Sequence, residues 1–543
     1  MIVQPVKKIK MIYQFKFRLV IAISALLFNN CRFGTVSSKT SFDLTDTVIK
    51  SPTPLKNMFG INSYEWNFLQ DPANPNAKTI YEANMSVIKS FSAVRHYMNW
   101  NKLENTKGDY TFNPTNNGGW NYDLIYTRCK QENILVLADM KNCARWLVNT
   151  YPTGMQDLDN VPVPYGQVKT APASYIDQAK AAFQFAARYG YNTAVDPALV
   201  TVNSKPRWAN DQPNVVKIGM SLVKYIECGN EWDKWWKGPA TKQTPEEYAA
   251  NLSAFYDGDK GRLGNNVGVK TADPGMQVVI GGLATCDVSF VQRIIDWCKA
   301  NRGYRTDGSV NLCFDVINYH YYNNNGDILT HSKATTGVAP ELSKAGTIAD
   351  AFVKLANSLK NPPEVWVTES GYDINQGSYQ KAIPIGDKPA LITQADWILR
   401  SSLLYIRHGI KRVFYYQLLD DAPNSSVQYA TSGLATDGKR RPAADYILQV
   451  NKLMGDFTYR STINADPIVD KYISGSRKMY ILTVPDQQQR KATYTLNLGT
   501  PKANIYTPKP GAEEMVSSQV NTTAGKLSVN VTETPTFIEG VSQ

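Results

Sequence analysis

Two short stretches of this chain end an apolar run in a carboxylate. In the first, Tyr225 to Cys228 gives way to Gly229, Asn230 and Glu231, and then to a cluster of aromatics, Trp232, Trp235 and Trp236. In the second, Glu364 to Thr368 runs into Glu369. A carboxylate just past the end of a buried strand can point into a pocket. An amide beside it can hold a hydroxyl, and a flat ring nearby can stack on a sugar. Two such carboxylates, one protonated at rest and the other ionised, suit cleavage of a glycosidic bond. A glutamate after a strand, taken singly, is more often a solvated loop residue. The pair therefore needs a framework that brings positions 231 and 369 together.

That framework is legible in the alternation of elements. Met58–Asn62 forms a first strand, followed by helical apolar spacing over residues 77–91 at Ile80, Met85 and Ile88. Ala93–Met98 is a second strand, followed by a helix over Tyr122–Glu132, and Ile134–Ala138 is a third strand. Its continuous apolar run is the kind that parallel sheets bury on both faces. An excursion from Asn142 to about Val216 follows, with one helix over Ala173–Tyr189 and much Pro, Asn and Gly. Loops this long usually carry function.

Strand four is Tyr225–Cys228, and its helix opens with Thr244 as N-cap, Pro245 first and Glu247 completing a capping box. The strands Gln277–Gly281, Phe314–Tyr321, Glu364–Thr368 and Arg412–Leu418 follow. Their helices are expected over 289–300, 347–359, 393–408 and 442–453. Eight strands alternating with eight helices predict an α/β chain folded as a (β/α)8 TIM barrel. A doubly wound open sheet is the rival, but the Gly-rich phosphate loop it usually carries after its first strand is missing from the sequence. From about Phe457 the texture changes to short alternating runs, Lys478–Val484, Ala492–Leu498 and Lys526–Val531, separated by turn residues. They predict a small antiparallel β-sandwich.

The expected organisation is a signal peptide over 1–30, a tether over 31–56, the barrel over 57–455 and the sandwich over 456–543. Lys7, Lys8, Lys10, Lys16 and Arg18 precede an apolar stretch, Leu19–Phe28, too short for a permanent bilayer anchor. Cys31 after that stretch resembles a bacterial lipoprotein signal, although Asn30 stands where a small residue is usual. Export to the periplasm or the cell surface is the expectation, with membrane contact only through a lipid at Cys31. The tether could add a strand, Ser41–Ile49, to another domain.

Without residues 1–30 the formal charge falls from +11 to +6, spread along the chain. No basic block interleaved with aromatics argues for nucleic acid. The cysteines show no CxxC or Cys/His metal spacing, and buried free thiols are expected for most.

Residues at the C-terminal ends of barrel strands converge on one face, which unites Arg95, Asn230, Glu231, His320, Tyr322 and Glu369. Here the chain resembles glycoside hydrolase clan A, the retaining barrel glycosidases. Asn230-Glu231 matches the clan's strand-four motif, Glu369 its strand-seven glutamate, Arg95 its strand-two arginine, and His320-x-Tyr322 a motif often found after strand six. Gln394 leading into the helix with Arg400, and Gly433 to Ala443, resemble it further.

The resemblance implies Glu231 as acid/base, Glu369 as nucleophile and Asn230 as holder of the substrate 2-hydroxyl. Tyr322 would hydrogen-bond the nucleophile, with Arg95 and His320 in support. It implies an oligo- or polysaccharide substrate, no metal and no organic cofactor. Trp232 is a candidate for sugar contact, standing where many members have Pro. Lys141 and Asn142 occupy the region where some have His, and Tyr415, Tyr416 and Gln417 stand where strand eight often supplies Trp. A non-catalytic glycan-binding surface lipoprotein is the alternative, and intact Glu231 and Glu369 argue against it. A metal-dependent barrel hydrolase is weaker still, because the four histidines are scattered.

Overall fold

The structure is a computed structural model that describes residues 52–75, 78–206, 211 and 213–542. The expected export segment, Cys31, the Ser41–Ile49 stretch and Trp208, a further candidate ring for sugar contact in the sequence, lie outside the described residues. Within them, Pro54 makes an isolated antiparallel bridge to Thr458, so the segment before the barrel touches the start of the C-terminal sheet.

Eight parallel strands close a barrel in sequence order. They are β1 (Gly60–Ser63), β2 (Ala93–Asn99), β3 (Leu135–Lys141), β4 (Tyr225–Cys228), β5 (Gln277–Ile280), β6 (Val316–His320), β7 (Glu364–Ser370) and β8 (Arg412–Tyr415). β1 pairs with both β2 and β8, which leaves the barrel without an edge. The register sets Arg95 against Leu137 and Tyr97 against Asp139, so alternate residues of β2 and β3 rise together on the inner wall. At the N-terminal end of the lumen Ala93, Leu137, Val279, Val316, Trp366 and Phe414 form a fully buried apolar plug.

Helices cover the outside of the barrel as the alternation predicts. The Thr244 cap and capping box are present on the helix Pro245–Asp257, which ends at Gly258 in the left-handed conformation. The excursion after β3 is not one loop. Its helix, Ile176–Tyr189, belongs to the outer ring: Arg188 pairs with Asp123 of the preceding ring helix at 2.7 Å. Ala179 packs with Ala250 and Ala254 of the following one. The strand expected over Arg412–Leu418 is shorter, Arg412–Tyr415; beyond it Tyr416 N still donates to Ser370 O and Leu418 N to Asn62 O, while the Gln417 and Leu418 carbonyls accept from Leu434 N.

The hairpin β9 (Ala435–Thr436) and β10 (Lys439–Arg440) precedes the last helix, Pro442–Met454. The remaining strands are β11 (Thr458–Ala465), β12 (Ile468–Ser474), β13 (Arg477–Thr483), β14 (Ala492–Asn497), β15 (Lys502–Thr507), β16 (Val516–Asn521), β17 (Lys526–Val531) and β18 (Thr536–Val541). Six of them form an antiparallel sheet in the order β11-β12-β13-β18-β15-β16, and β14 pairs with β17 as a second layer. Val469, Leu482, Ala503 and Ile538 of the first layer meet Leu496, Val529 and Val531 of the second. The architecture is a (β/α)8 barrel followed by a small β-sandwich.

A buried ion pair between Arg407 on a barrel helix and Asp470 on β12 at 2.7 Å ties barrel to sandwich, as does Lys388 between Asp396 and Glu533. The cysteines of the described residues are all buried and free, with the Cys298 and Cys313 sulfurs 3.4 Å apart.

Candidate active site

The site is built on the C-terminal ends of β1, β2, β3, β4, β6 and β7. One inward step above the apolar plug, the lumen becomes polar. Arg95 is fully buried there and uses all three of its nitrogens. Nε donates to Glu227 at 2.6 Å, and Nη2 donates to Asp139 at 3.0 Å and to Asn230 at 2.8 Å. Nη1 donates to Asn62 at 3.1 Å and to Glu369 at 2.9 Å. Asn318 donates to Glu227 and to Thr368, both at 2.8 Å. A guanidinium out of water needs such partners, and buried carboxylates without it would be costly. Burial pushes Asp139 up to about 7; Arg95 opposes that shift, and Glu227 adds to it.

Above this layer stand the two acids. Glu369 is 6 % exposed and heavily bonded. Besides Arg95 it accepts from the Tyr97 hydroxyl and, at 3.0 Å, from the Tyr322 hydroxyl. Burial would push its carboxyl up, but the charges of His320 and Arg95 and the Tyr97 hydroxyl outweigh that and hold it below the ordinary carboxylate range. Burial, together with the charge of Glu369, pushes both tyrosines well up, so they stay protonated donors.

Glu231 differs. Its side chain is 23 % exposed, and its one side-chain partner among the described residues is His320 Nδ1 at 3.0 Å. The same nitrogen lies 3.5 Å from Glu369, while Nε2 faces the Thr368 hydroxyl at 3.1 Å. Burial alone would lower the His320 pKa; Glu369 and Glu231 outweigh it, and the imidazole is shifted upward. A carboxylate oxygen of Glu231, one of Glu369 and a His320 nitrogen all lie within 4.8 Å of one another. Such a triad could approach a cation, but Arg95 and two phenols already occupy the Glu369 oxygens.

Local backbone explains the placement of Glu231. It has φ 55° and follows Gly229 with φ 77°. A Cβ on Gly229 would stand 2.4 Å from the Trp232 indole nitrogen, so only glycine allows the turn to close over that ring. Glu231 N then donates to Gly282 O at 3.1 Å. A Cβ on Gly282 would overlap the His320 ring, so this glycine makes room for the imidazole.

The structure therefore brings together Arg95, Asn230, Glu231, His320, Tyr322 and Glu369. Asn230 gives its oxygen to Arg95, and its amide nitrogen carries no hydrogen bond among the described residues, leaving it for a ligand hydroxyl. Trp232 does not join them. The expected sugar contact is 3 % exposed, and its N–H donates to Cys228 O at 3.0 Å beneath the turn. It shapes the loop that carries Glu231. Trp235 and Trp236, on the same segment, are 46 % and 48 % exposed. Asp420, which by its place after strand eight reads in the sequence as a cap or ion-pair partner more than a ligand, pairs with Arg441 at 2.5 Å.

The sequence offers Trp66 as a candidate ring and Tyr416 in place of the strand-eight Trp, but not the aromatic wall they join. Trp66, 38 % exposed, stacks on Tyr64 at 4.4 Å, and Tyr64 stacks on Tyr97 at 5.2 Å. Tyr416 bonds the Tyr64 hydroxyl at 3.0 Å, and Tyr429 packs between Tyr416 and Tyr322. Tyr97 had a usable signal: it is two residues after Arg95 on a strand and so shares its inward face. Tyr64 and Tyr429 sit on loops, where spacing carries no such information.

No protein-family model matches the chain, and no curated protein matches it in sequence. Solved structures do match in fold. A family 39 glycoside hydrolase from the gut symbiont Bacteroides cellulosilyticus WH2 is similar with a TM-score of 0.59 at 17% identity, over 90% of this chain and 81% of that one. This chain shares the barrel fold of these glycoside hydrolases. A family 51 α-L-arabinofuranosidase from Bifidobacterium longum is similar with a TM-score of 0.52 at 13% identity, over 90% of this chain and 98% of that one. The catalytic domain of a family 30 xylanase C from Talaromyces cellulolyticus gives a TM-score of 0.51 at 10% identity, over 91% and 99%.

Proposed function

We propose that this clan A barrel is a retaining glycoside hydrolase acting on β-linked glycans. The observation that carries the reading is the unequal pair: two carboxylates with oxygens within 4.8 Å, one clamped by Arg95 and two phenols, the other open to solvent and bonded to His320. Carboxyl groups about 5 Å apart suit double displacement, because no room is left for a water between acid and sugar. Glu369, held ionised, attacks the anomeric carbon. Glu231 donates its proton to the leaving oxygen, then takes one from the water that releases the sugar. Asn230 faces the hydroxyl next to the anomeric carbon. His320 is a positioning residue that fixes Glu231 relative to Glu369.

Export is part of the proposal. The basic start, the apolar stretch to Phe28 and Cys31 support a lipoprotein held at the periplasmic or outer cell surface.

The test is product release from β-linked polysaccharides and aryl β-glycosides, by wild type and Glu369→Gln together. Turnover by wild type with retained configuration, lost in the variant, is the expected result. Equal turnover by both would sink the assignment. Glycan binding without product from either would favour a binding protein.

A further inference from the structure

The inward row of β3 runs Leu137, Asp139, Lys141. Leu137 belongs to the apolar plug and Asp139 pairs with Arg95. Lys141 is the top member, at the rim of the catalytic pocket. Its ammonium lies 4.5 Å from the centroid of the Tyr97 ring, whose hydroxyl bonds Glu369. Among the described residues that ammonium has neither a hydrogen bond nor an ion pair.

Neighbouring cations among the described residues have acids of their own. Arg95 has Glu227, Asp139 and Glu369. Lys234 has Asp159 at 3.3 Å, and Lys237 has Asp159 at 2.6 Å. Lys102 has Glu65 at 2.9 Å. His320 stands between the two acids. The Lys141 charge acts on Asp159, Asp139 and Glu369, but each of these is in contact with another cation and none is paired with Lys141, which leaves the ammonium open to an anion brought by the ligand. The half-buried side chain is held by the Tyr97 face, which limits the freedom it would lose on binding.

We propose that Lys141 is a specificity-determining residue for a sugar bearing an anionic oxygen substituent, a uronate carboxylate or a sulfate ester, on the ring bound beside Glu369. The inference rests on the glycosidase reading and adds the substrate class. A neutral sugar would give the ammonium no ion pair. A charge-assisted bond to the substituent would favour the acidic sugar over its neutral parent by roughly 10- to 100-fold in kcat/KM.

The experiment is hydrolysis of aryl β-glycosides in matched pairs by the full chain: glucuronide against glucoside, galacturonide against galactoside, and 6-sulfated against unsulfated glucoside. Wild type, Lys141→Met and Lys141→Arg are compared, with thermal melting to check folding. The expected result is a wild-type preference for the acidic member of at least one pair. Lys141→Met should lose that preference through KM while retaining turnover of the neutral member, and Lys141→Arg should restore it in part. The pair that shows the effect separates carboxylate from sulfate.

Preference for neutral members in every pair overturns the proposal and leaves the glycosidase standing. So does an equal loss on both members in Lys141→Met, which would make Lys141 a support for Tyr97 or a modulator of Glu369. If Lys141→Met does not fold, the wild-type preference decides alone. No hydrolysis of any member, and none of any polysaccharide, overturns both readings.

Discussion

The two ends of the barrel lumen are built by the same strands, facing the same way, at the same near-complete burial. At the lower end, Leu137, Val316, Trp366 and Phe414 fill the space with carbon. One inward step higher, about 7 Å along each strand, Arg95, Asp139, Glu227, Asn318 and Thr368 fill it with charges and hydrogen bonds. The lower end stabilises by removing apolar area from water. The upper end offsets desolvation with paired charges, which contributes little net stability but fixes the positions of the groups above it. Stability and chemistry are thus separated along the barrel axis rather than between domains.

Glu369→Gln should show the separation most strongly. Activity should fall roughly 10⁴-fold while the melting temperature changes little, since the amide oxygen still accepts from Arg95 and Tyr97 and the amide nitrogen can donate to the Tyr322 hydroxyl. Initial rates and thermal unfolding on the same samples check it.

Arg95→Met tests where the division breaks. Removing the guanidinium strands Glu227 and Asp139 in a buried site, so this residue of the upper layer should cost about 3–5 kcal/mol of stability as well as activity. Urea unfolding would measure that cost, and an unchanged midpoint would refute the account of the polar layer. Trp366→Ala is the counterpart at the lower end. It should also cost about 3–5 kcal/mol, yet leave the pH dependence of any remaining activity unaltered.

Tyr322→Phe removes one bond to Glu369 and should lower kcat by roughly 10- to 100-fold with a small stability change.

The smallest effect expected is a shift in pH. Glu369 has a depressed pKa, so its ionised form is favoured in the folded chain. The acid limb of kcat/KM should lie below the ordinary carboxylate value of 4.5. The stabilisation from that ionised form is present above 4.5 and is lost as pH falls through the lower folded value. His320→Gln removes the largest opposing charge, so the Glu369 pKa should rise and the acid limb should move to higher pH. An acid limb that stays put would show that Arg95 and Tyr97 suffice.

Much of the site was legible because strand ends in a barrel converge. Once eight strands could be counted, the residues at their C-terminal ends were candidates by topology alone, and Arg95, Asn230, Glu231, His320, Tyr322 and Glu369 do meet. Trp232 shows the limit of the method. Its neighbour Glu231 has a left-handed backbone, and that turn sends the indole under the loop instead of into the cleft. A run of aromatics in sequence does not say which ring faces out.

The sequence by itself determined the periodic part of this protein: the strand and helix alternation, the cap at Thr244, the change of texture near Phe457, and the paired strand-end acids. These follow from short-range spacing, which a one-dimensional string preserves. Tertiary contacts alone set how unequal the two acids are, that Glu227, Asp139 and Asn318 support Arg95, that Tyr64, Tyr416 and Tyr429 wall the cleft, and that Lys141 makes no ion pair among the described residues. Each of those facts depends on distances between residues far apart in the chain. The field at a carboxylate is the sum over whatever the closed barrel brings near it, and no local spacing encodes that sum.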